Sequence, residues 1–76
     1  MKRKILKIYL KKEKVSKEWR PEGYEWIVRT KYGSKRTLGY AYGTLSKQRA
    51  NAYVKDLVDK WSWKYIIYLN GKRVSK

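Results

Sequence analysis

The sequence predicts an α+β fold, in which a small antiparallel or mixed sheet of three to four strands packs against one helix in the order β-β-β-α-β. Two alternating runs flank a glycine turn, a helical pattern opened by a serine follows at once, and an aromatic-rich run comes last. With 76 residues and no cysteine, the chain is expected to form one small basic domain, residues 1–76, without disulfides. Its four Trp and eight Tyr fit a thin core or stacking on bases.

The first strand is expected over residues 2–12. One of its faces is apolar and carries Leu6, Ile8 and Leu10. The other face is mixed and carries Ile5, Lys7 and Tyr9. The alternative is a basic tail that becomes ordered on its partner, because lysines are dense here. A polar connection follows over residues 13–22, in which Trp19 either folds back over one end of the sheet or faces the ligand.

The second strand, Tyr24 to Tyr32, has the clearest two-residue alternation, and the third is expected over residues 36–42. A two-residue loop after Tyr32 would pair it with Lys35, and a three-residue loop would pair it with Arg36. We expect the three-residue loop or an equivalent bulge, because burial of one coherent apolar face stabilises by about 25 cal/mol per Å². That choice places five large residues on one face: Trp26, Val28, Leu38, Tyr40 and Tyr42.

The same register leaves a basic surface with little side-chain bulk on the opposite face of these strands. It would carry Ile27, Arg29, Lys31, Thr37, Gly39 and Ala41. Glycine in a strand allows a close approach by another backbone, so a phosphate backbone or a groove could lie against this face. The alternative is an ordinary solvent-exposed face, on which the glycine only weakens the strand.

The helix is expected to begin after Ser46 as N-cap, with Thr44 as the alternative cap. Its apolar stripe should cover the sheet and consists of Ala50, Tyr53, Val54, Leu57, Val58 and Trp61. The outer face is nearly balanced in charge, so we do not expect it to bind the ligand. The last strand, within residues 62–72, either pairs in parallel with the first strand or adds at an edge, and Asn70-Gly71 marks a turn.

The charge is far from balanced, with 21 Lys and Arg against six acidic residues and a net charge of +15. So many positive charges repel one another and destabilise the folded chain, and a bound polyanion would reduce this repulsion. No helical pattern combines a basic face with a wide apolar stripe, so nucleic acid is favoured over a membrane surface. No apolar run approaches the roughly 20 residues of a membrane span, and the basic start lacks a signal-peptide core.

The expected location is therefore cytoplasmic, which suits a nucleoid-associated or a virus-encoded intracellular protein. Few Asn and Gln, no Cys and abundant Lys are typical of a thermophile. An enzyme is not expected, because there is no His and no Cys, and the carboxylates are scattered. Neither a cofactor nor a metal site is expected; Asp56 and Asp59 fit an exposed helix face.

Residues 23–61 combine a Tyr- and Trp-rich strand, a glycine turn and the junction GTLSKQRANAY before a helix. This half of the chain resembles the arm-type ββα DNA-binding domain of phage-type tyrosine recombinases and, in layout, the plant ethylene-response-factor domain. The junction residues that fit are Gly43, Thr44, Ser46, Lys47 and Ala50. The resemblance implies a three-stranded sheet in the major groove, with contacts from Arg29, Lys31, Arg36 and Thr37. No recombinase catalytic domain is present, so strand transfer is not implied.

The sequence thus predicts a DNA-binding protein that contacts double-stranded DNA with a basic sheet face, in a transcriptional or architectural role. The expected contacts are Arg29, Lys31, Lys35, Arg36, Thr37 and Gly39, with Lys2, Arg3 and Lys4 at the amino terminus. The alternatives are a nonspecific chromatin-like or RNA-binding protein, or a structural protein that meets nucleic acid through its charge. An exposed edge strand would permit a homodimer.

Overall fold

The computed structural model describes residues 3–33 and 38–75, which form five strands and one helix. The elements are β1 (Lys4–Lys14), β2 (Tyr24–Tyr32), β3 (Gly39–Thr44), α1 (Lys47–Trp61), β4 (Tyr65–Leu69) and β5 (Lys72–Arg73). The predicted α+β class and the order β-β-β-α-β are confirmed, with the two-residue β5 as an addition. Predicted and observed bounds agree for β2 at both ends.

The strand at the centre of the sheet is β1, in the order β3-β2-β1-β4-β5. It pairs with β2 in antiparallel and with β4 in parallel orientation, so the sheet is mixed. The parallel placement of the last strand next to the first is therefore the one observed. β1 also continues to Lys14, beyond the predicted end, because Glu13 and Lys14 pair with Glu25 and Tyr24. The reading of its described part as an unpaired basic tail is wrong.

The core lies between one face of the sheet and α1. Its buried apolar residues are Leu6, Ile8, Leu10, Val28, Ala50, Val54 and Ile67. Burial of each Leu, Ile or Val side chain contributes about 1.5–3 kcal/mol. The predicted helical stripe is confirmed, since its remaining members pack against this cluster.

The start of α1 is capped as the sequence predicts. The Ser46 side chain accepts a hydrogen bond from the Arg49 backbone N–H at 3.3 Å. Thr44, the alternative cap, instead accepts from the Ser46 N–H at 3.2 Å through its hydroxyl. The two hydroxyls therefore act in sequence, one ordering the approach to the helix and the other its first turn.

A bulge in β3 changes which residues share a face. Val28 aligns with Tyr42 and Arg29 aligns with Tyr40, so Ala41 is one extra residue on β3. The prediction that Tyr40 shares a face with Val28 is therefore wrong, because the ring crosses to the other side, where its hydroxyl meets Glu25.

The rest of that predicted grouping divides at the same place. Trp26, Val28 and Tyr42 do lie together on the helix side, but Leu38 borders a groove on the opposite face. Gly39 and Ala41 were placed on that opposite face, and this is also wrong. Gly39 aligns with buried Thr30 and Ala41 packs against the core, because the bulge shifts the register by one residue. Residues 34–37, and with them the turn and Thr37, lie outside the described residues.

The hairpin between β4 and β5 turns at Asn70-Gly71, as predicted. Both residues have positive φ, 50° and 85°, which two-residue hairpin turns of this type require. The Asn70 side chain also accepts from the Leu10 N–H at 3.0 Å and donates to the Leu10 carbonyl at 3.3 Å. It thereby continues the pairing of β1 past the end of β4.

The connection between β1 and β2, residues 15–23, folds back on the sheet face away from α1 and is tied to Glu25. This carboxylate is 1% exposed and accepts three hydrogen bonds: from Trp19 Nε1 at 2.8 Å, Arg20 Nε at 2.6 Å and Tyr40 Oη at 2.9 Å. The Arg20 hydrogen bond, helped by those of Trp19 and Tyr40, lowers the pKa of Glu25 against the opposing effect of burial. Trp19 itself remains 67% exposed, so it contacts this end of the sheet through its indole N–H and does not cover it as a lid.

Gly43 leaves the space that this carboxylate occupies. A Cβ added at Gly43 would collide with the Tyr40 hydroxyl and the Glu25 carboxylate. A Cβ at Gly39, on the same strand, would lie 3.7 Å from the Thr30 carbonyl oxygen, which is an ordinary contact. A side chain at Gly43 would therefore displace Tyr40 or Glu25, whereas Gly39 has room for a methyl group.

Glu25 and its three donors, Trp19, Arg20 and Tyr40, are called the Glu25 cluster below. We predict that Gly43→Ala lowers the free energy of unfolding by about 1–3 kcal/mol, because the added methyl group overpacks this cluster. Urea unfolding followed by circular dichroism measures the change. Gly39→Ala is the matched control, and it should be neutral or stabilise by about 0.4–1 kcal/mol through the unfolded chain. Equal effects of the two substitutions would contradict this account of Gly43.

We also predict that Glu25→Gln destabilises by about 1–3 kcal/mol near neutral pH, because an amide cannot accept from all three donors. Since the folded pKa is lowered, the stability from the Glu25 charge is complete above the unfolded pKa, about 4.3, and is lost as pH falls through the folded value. Unfolding curves of the two proteins should therefore converge in acid. Glu13→Gln, on the same face, breaks a pair whose side chains are each about a third exposed, and should cost less than about 1 kcal/mol at any pH.

Candidate nucleic-acid interface

The sheet face turned away from α1, called the open face below, is the candidate interface. Alternation along the strands and the pairing registers define its side chains. They are Ile5, Lys7, Tyr9, Lys11 and Glu13 of β1, Glu25, Ile27, Arg29 and Lys31 of β2, Tyr40 of β3, Ile66 and Tyr68 of β4, and Arg73 of β5. The Glu25 cluster closes one end of this face, and the other end is uncovered in the described structure.

Three cationic side chains cross the uncovered end in a single row. Lys31 aligns with Lys7, Lys7 aligns with Tyr68, and Tyr68 aligns with Arg73. We call Lys31, Lys7, Tyr68 and Arg73 the cationic row. Lys7 and Lys31 are direct cross-strand neighbours of like charge, an arrangement that destabilises a sheet. Within residues 3–33 and 38–75, no carboxylate forms an ion pair with either lysine.

Tyr9 lies beside the cationic row and separates two shallow grooves. Ile5, Lys7, Tyr68 and Gly71 border one groove with it. Lys11, Glu13, Arg29 and Leu38 border the other. Both grooves are therefore lined by an aromatic ring and by cationic side chains.

The rings of Tyr9 and Tyr68 differ from those on the helix side of the sheet. The ring pairs found in the described part of the chain are Tyr32–Tyr65, Tyr42–Tyr53 and Trp61–Tyr65, with centroids 4.6–6.1 Å apart. Neither Tyr9 nor Tyr68 belongs to one of these pairs. Both side chains are half-buried, so each presents part of its ring to solvent.

Arg29 lies on the open face as predicted, but an acidic residue engages it. Its Nε and Nη2 donate to the two carboxylate oxygens of Glu13 at 3.0 and 3.2 Å, which raises the pKa of Arg29. About a third of each side chain is exposed, 33% for Arg29 and 34% for Glu13. The pair holds the guanidinium in place and neutralises its charge, so Arg29 contributes less to the field of the face than Lys31 does.

Tyr40 marks the boundary between the Glu25 cluster and the uncovered part of the face. Its hydroxyl is held against Glu25, and this burial together with the hydrogen bond raises the pKa of Tyr40. The residue as a whole is nevertheless 56% exposed. The hydroxyl of Tyr40 is therefore held in place, while more than half of the residue is exposed to solvent.

The other predicted contacts are dispersed. Gly39 aligns with Thr30 on the helix side, and Lys4 aligns with Tyr65 on that same side. Arg3 donates from Nη1 to the Ser62 carbonyl at 2.8 Å and so ties the start of β1 to the end of α1. Lys2, Lys35, Arg36 and Thr37 lie outside the described residues. Of the predicted set, the structure brings Arg29 and Lys31 together on the open face.

The residues that sequence reasoning did not assign to the site come mainly from β1 and β4: Lys7, Tyr9, Lys11, Tyr68 and Arg73. A signal for the first two was present, since alternation already separates Lys7 and Tyr9 from Leu6, Ile8 and Leu10. The place of β1 at the centre of the sheet was not readable, because it also depends on pairing with β4, near the other end of the chain.

The outer side of α1 has a slightly smaller excess of positive charge than the open face. The outer side of α1 carries four cations and two carboxylates: Lys47, Arg49, Lys55, Lys60, Asp56 and Asp59.

The described residues contain no cluster of three or more potential metal ligands. They also contain no helix that is both long and apolar enough to cross a membrane.

Comparison with family models, curated proteins and solved structures gives no match for this chain.

Proposed function

We propose that this protein binds nucleic acid through its open face, with the cationic row in contact with phosphates. The observation that carries the proposal is the pairing of Lys7 with Lys31 directly across β1 and β2, without an ion-paired carboxylate among the described residues. Like charges directly opposite each other on paired strands raise the free energy of the folded state, and a bound phosphate would reduce that cost. Arg73 extends the same row to the edge of the sheet.

The distribution of the acidic residues supports the same surface. Glu13 and Glu25, the two carboxylates of the open face, are both engaged by arginines at the end closed by the Glu25 cluster. The uncovered end carries cations, Tyr9, Tyr68, Ile5 and Ile66, with no carboxylate among the described residues. A net charge of +15 on the whole chain would draw a polyanion towards this face from a distance.

The binding of phosphates releases condensed counterions and makes affinity depend on salt. The logarithm of the binding constant falls with the logarithm of salt concentration by about 0.9 per neutralised phosphate for duplex DNA and about 0.7 for a single strand.

The transcriptional or architectural role expected from the sequence is a separate proposal. Selection from random oligonucleotides tests it: enrichment of one sequence supports a regulatory role, and no enrichment supports an architectural or packaging role.

We predict that Lys7→Gln with Lys31→Gln reduces the salt slope by about 1.4–1.8, because two phosphate contacts are lost. Fluorescence anisotropy with labelled oligonucleotides at several salt concentrations measures the slope. The fold should remain intact, since a repulsive cross-strand pair is removed.

The matched control removes the same charge from the outer side of α1. Lys55→Gln with Lys60→Gln leaves the open face unchanged and should lower the slope by much less than one. Equal losses in the two double variants would mean that net charge alone, and not the cationic row, determines binding.

A further inference from the structure

The structure allows the form of the nucleic acid to be inferred, provided that the proposed function holds. The open face combines cations with aromatic rings that the core does not use. Tyr68 belongs to the cationic row, and Tyr9 lies two residues along β1 from Lys7. An aromatic ring on a basic surface is a stacking platform for a base, because each nucleobase presents a π-face.

The two rings are placed for neighbouring bases. Tyr68 aligns with Lys7, so Tyr9 is its diagonal neighbour on the adjacent strand. A strand spacing of about 4.8 Å and a rise of about 3.3 Å per residue put their Cα atoms roughly 8 Å apart. Tyr9 and Tyr68 also border the same groove with Lys7, so bases on the rings would bring the connecting phosphates close to a cation.

The width of the sheet disfavours insertion into a duplex. Five strands span about 19 Å between the outer strand axes, whereas the major groove of B-DNA is about 12 Å wide and takes a helix or a two-stranded ribbon. The resemblance to a three-stranded arm-type domain does not include β4 and β5, which broaden the face on the side of Tyr68. In a duplex the bases are also stacked on each other and cannot cover a tyrosine ring.

We infer that the open face binds single-stranded nucleic acid, with bases stacked on Tyr9 and Tyr68 and the backbone held by Lys7, Lys31 and Arg73. Stacking on tyrosine is tolerant of base identity, so this mode needs no hydrogen-bonded reading of sequence. The edge of the face next to Arg73 is formed by the two-residue β5, and both of its residues are exposed.

The test compares three labelled ligands at one salt concentration: a 12-nucleotide oligothymidine, the same strand with abasic sites in its central half, and a 12-base-pair duplex. The abasic strand keeps the phosphates and lacks the bases. The intact protein should bind oligothymidine at least tenfold more tightly than either of the other two. Tyr9→Leu and Tyr68→Leu should each weaken binding of oligothymidine by about 5- to 100-fold, and binding of the abasic strand by less than twofold.

Two sets of controls accompany these variants. Tyr9→Trp and Tyr68→Trp keep a ring and should retain the preference for oligothymidine over the abasic strand. Trp63→Leu removes a ring that is 74% exposed in the turn between α1 and β4, and it should leave all three affinities unchanged. Urea midpoints establish that each variant is folded.

The inference is overturned if the duplex is bound as tightly as oligothymidine, or if the leucine variants lose affinity for the abasic strand to the same extent. Either result leaves the proposed function standing, with phosphates alone or a duplex as its ligand. Absence of binding to all three ligands at moderate salt would instead remove the proposed function itself.

Discussion

One helix has to cover a five-stranded sheet, and this constraint shapes the whole molecule. The 15 residues of α1 span about 22 Å with a diameter of about 10–12 Å, enough to shield one face of the sheet. In the described structure the helix lies against Leu6, Ile8 and Leu10, the buried side of the central strand. The other side of β1 therefore faces solvent or a ligand, and its residues must tolerate water: Ile5, Lys7, Tyr9, Lys11 and Glu13.

The chain meets this constraint differently at the two ends of the open face. At one end Glu25 is buried under Trp19, Arg20 and Tyr40, and Arg29 is paired with Glu13. Both carboxylates at this end are thus paired with arginines of the protein. At the other end Lys7 and Lys31 repel each other without such compensation. The face is consequently polarised, with paired carboxylates at one end and adjacent lysines at the other.

Features fixed by neighbours in sequence were predictable. The bounds of β2, the Ser46 cap, the helical stripe and the Asn70-Gly71 turn all depend on residues within a few positions of each other, where periodicity and turn chemistry act directly. The separation of Lys7 and Tyr9 from the apolar side of β1 was likewise visible in the alternation.

Features that depend on distant segments were not predictable. Glu25 and Tyr40 are 15 residues apart, and Arg29 and Glu13 are 16 apart, so no local pattern joins them.

The bulge at Ala41 shows why a favourable pattern can mislead. Gathering Tyr40 with Trp26 and Val28 would bury more apolar area, but the bulge lets Tyr40 donate to a buried carboxylate that would otherwise lack one of its donors. The central place of β1 was missed for the same reason, since it depends on the parallel pairing of β1 with β4, near the other end of the chain.

The aromatic residues follow from the same limits on the core. The largest side chains that are fully buried are Leu6, Ile8, Ile67, Val28 and Glu25, with no aromatic residue among those described. A domain with so thin a core has little room to enclose a ring on all sides. The rings instead surround the aliphatic cluster or lie on the open face, and the choice of eight Tyr with no Phe suits a ring with one side packed and a hydroxyl in water. On the open face that amphipathic character has a second consequence. A tyrosine can remain half-exposed in the free protein without forming an apolar patch, and it still presents a stacking surface when a base replaces the water above it.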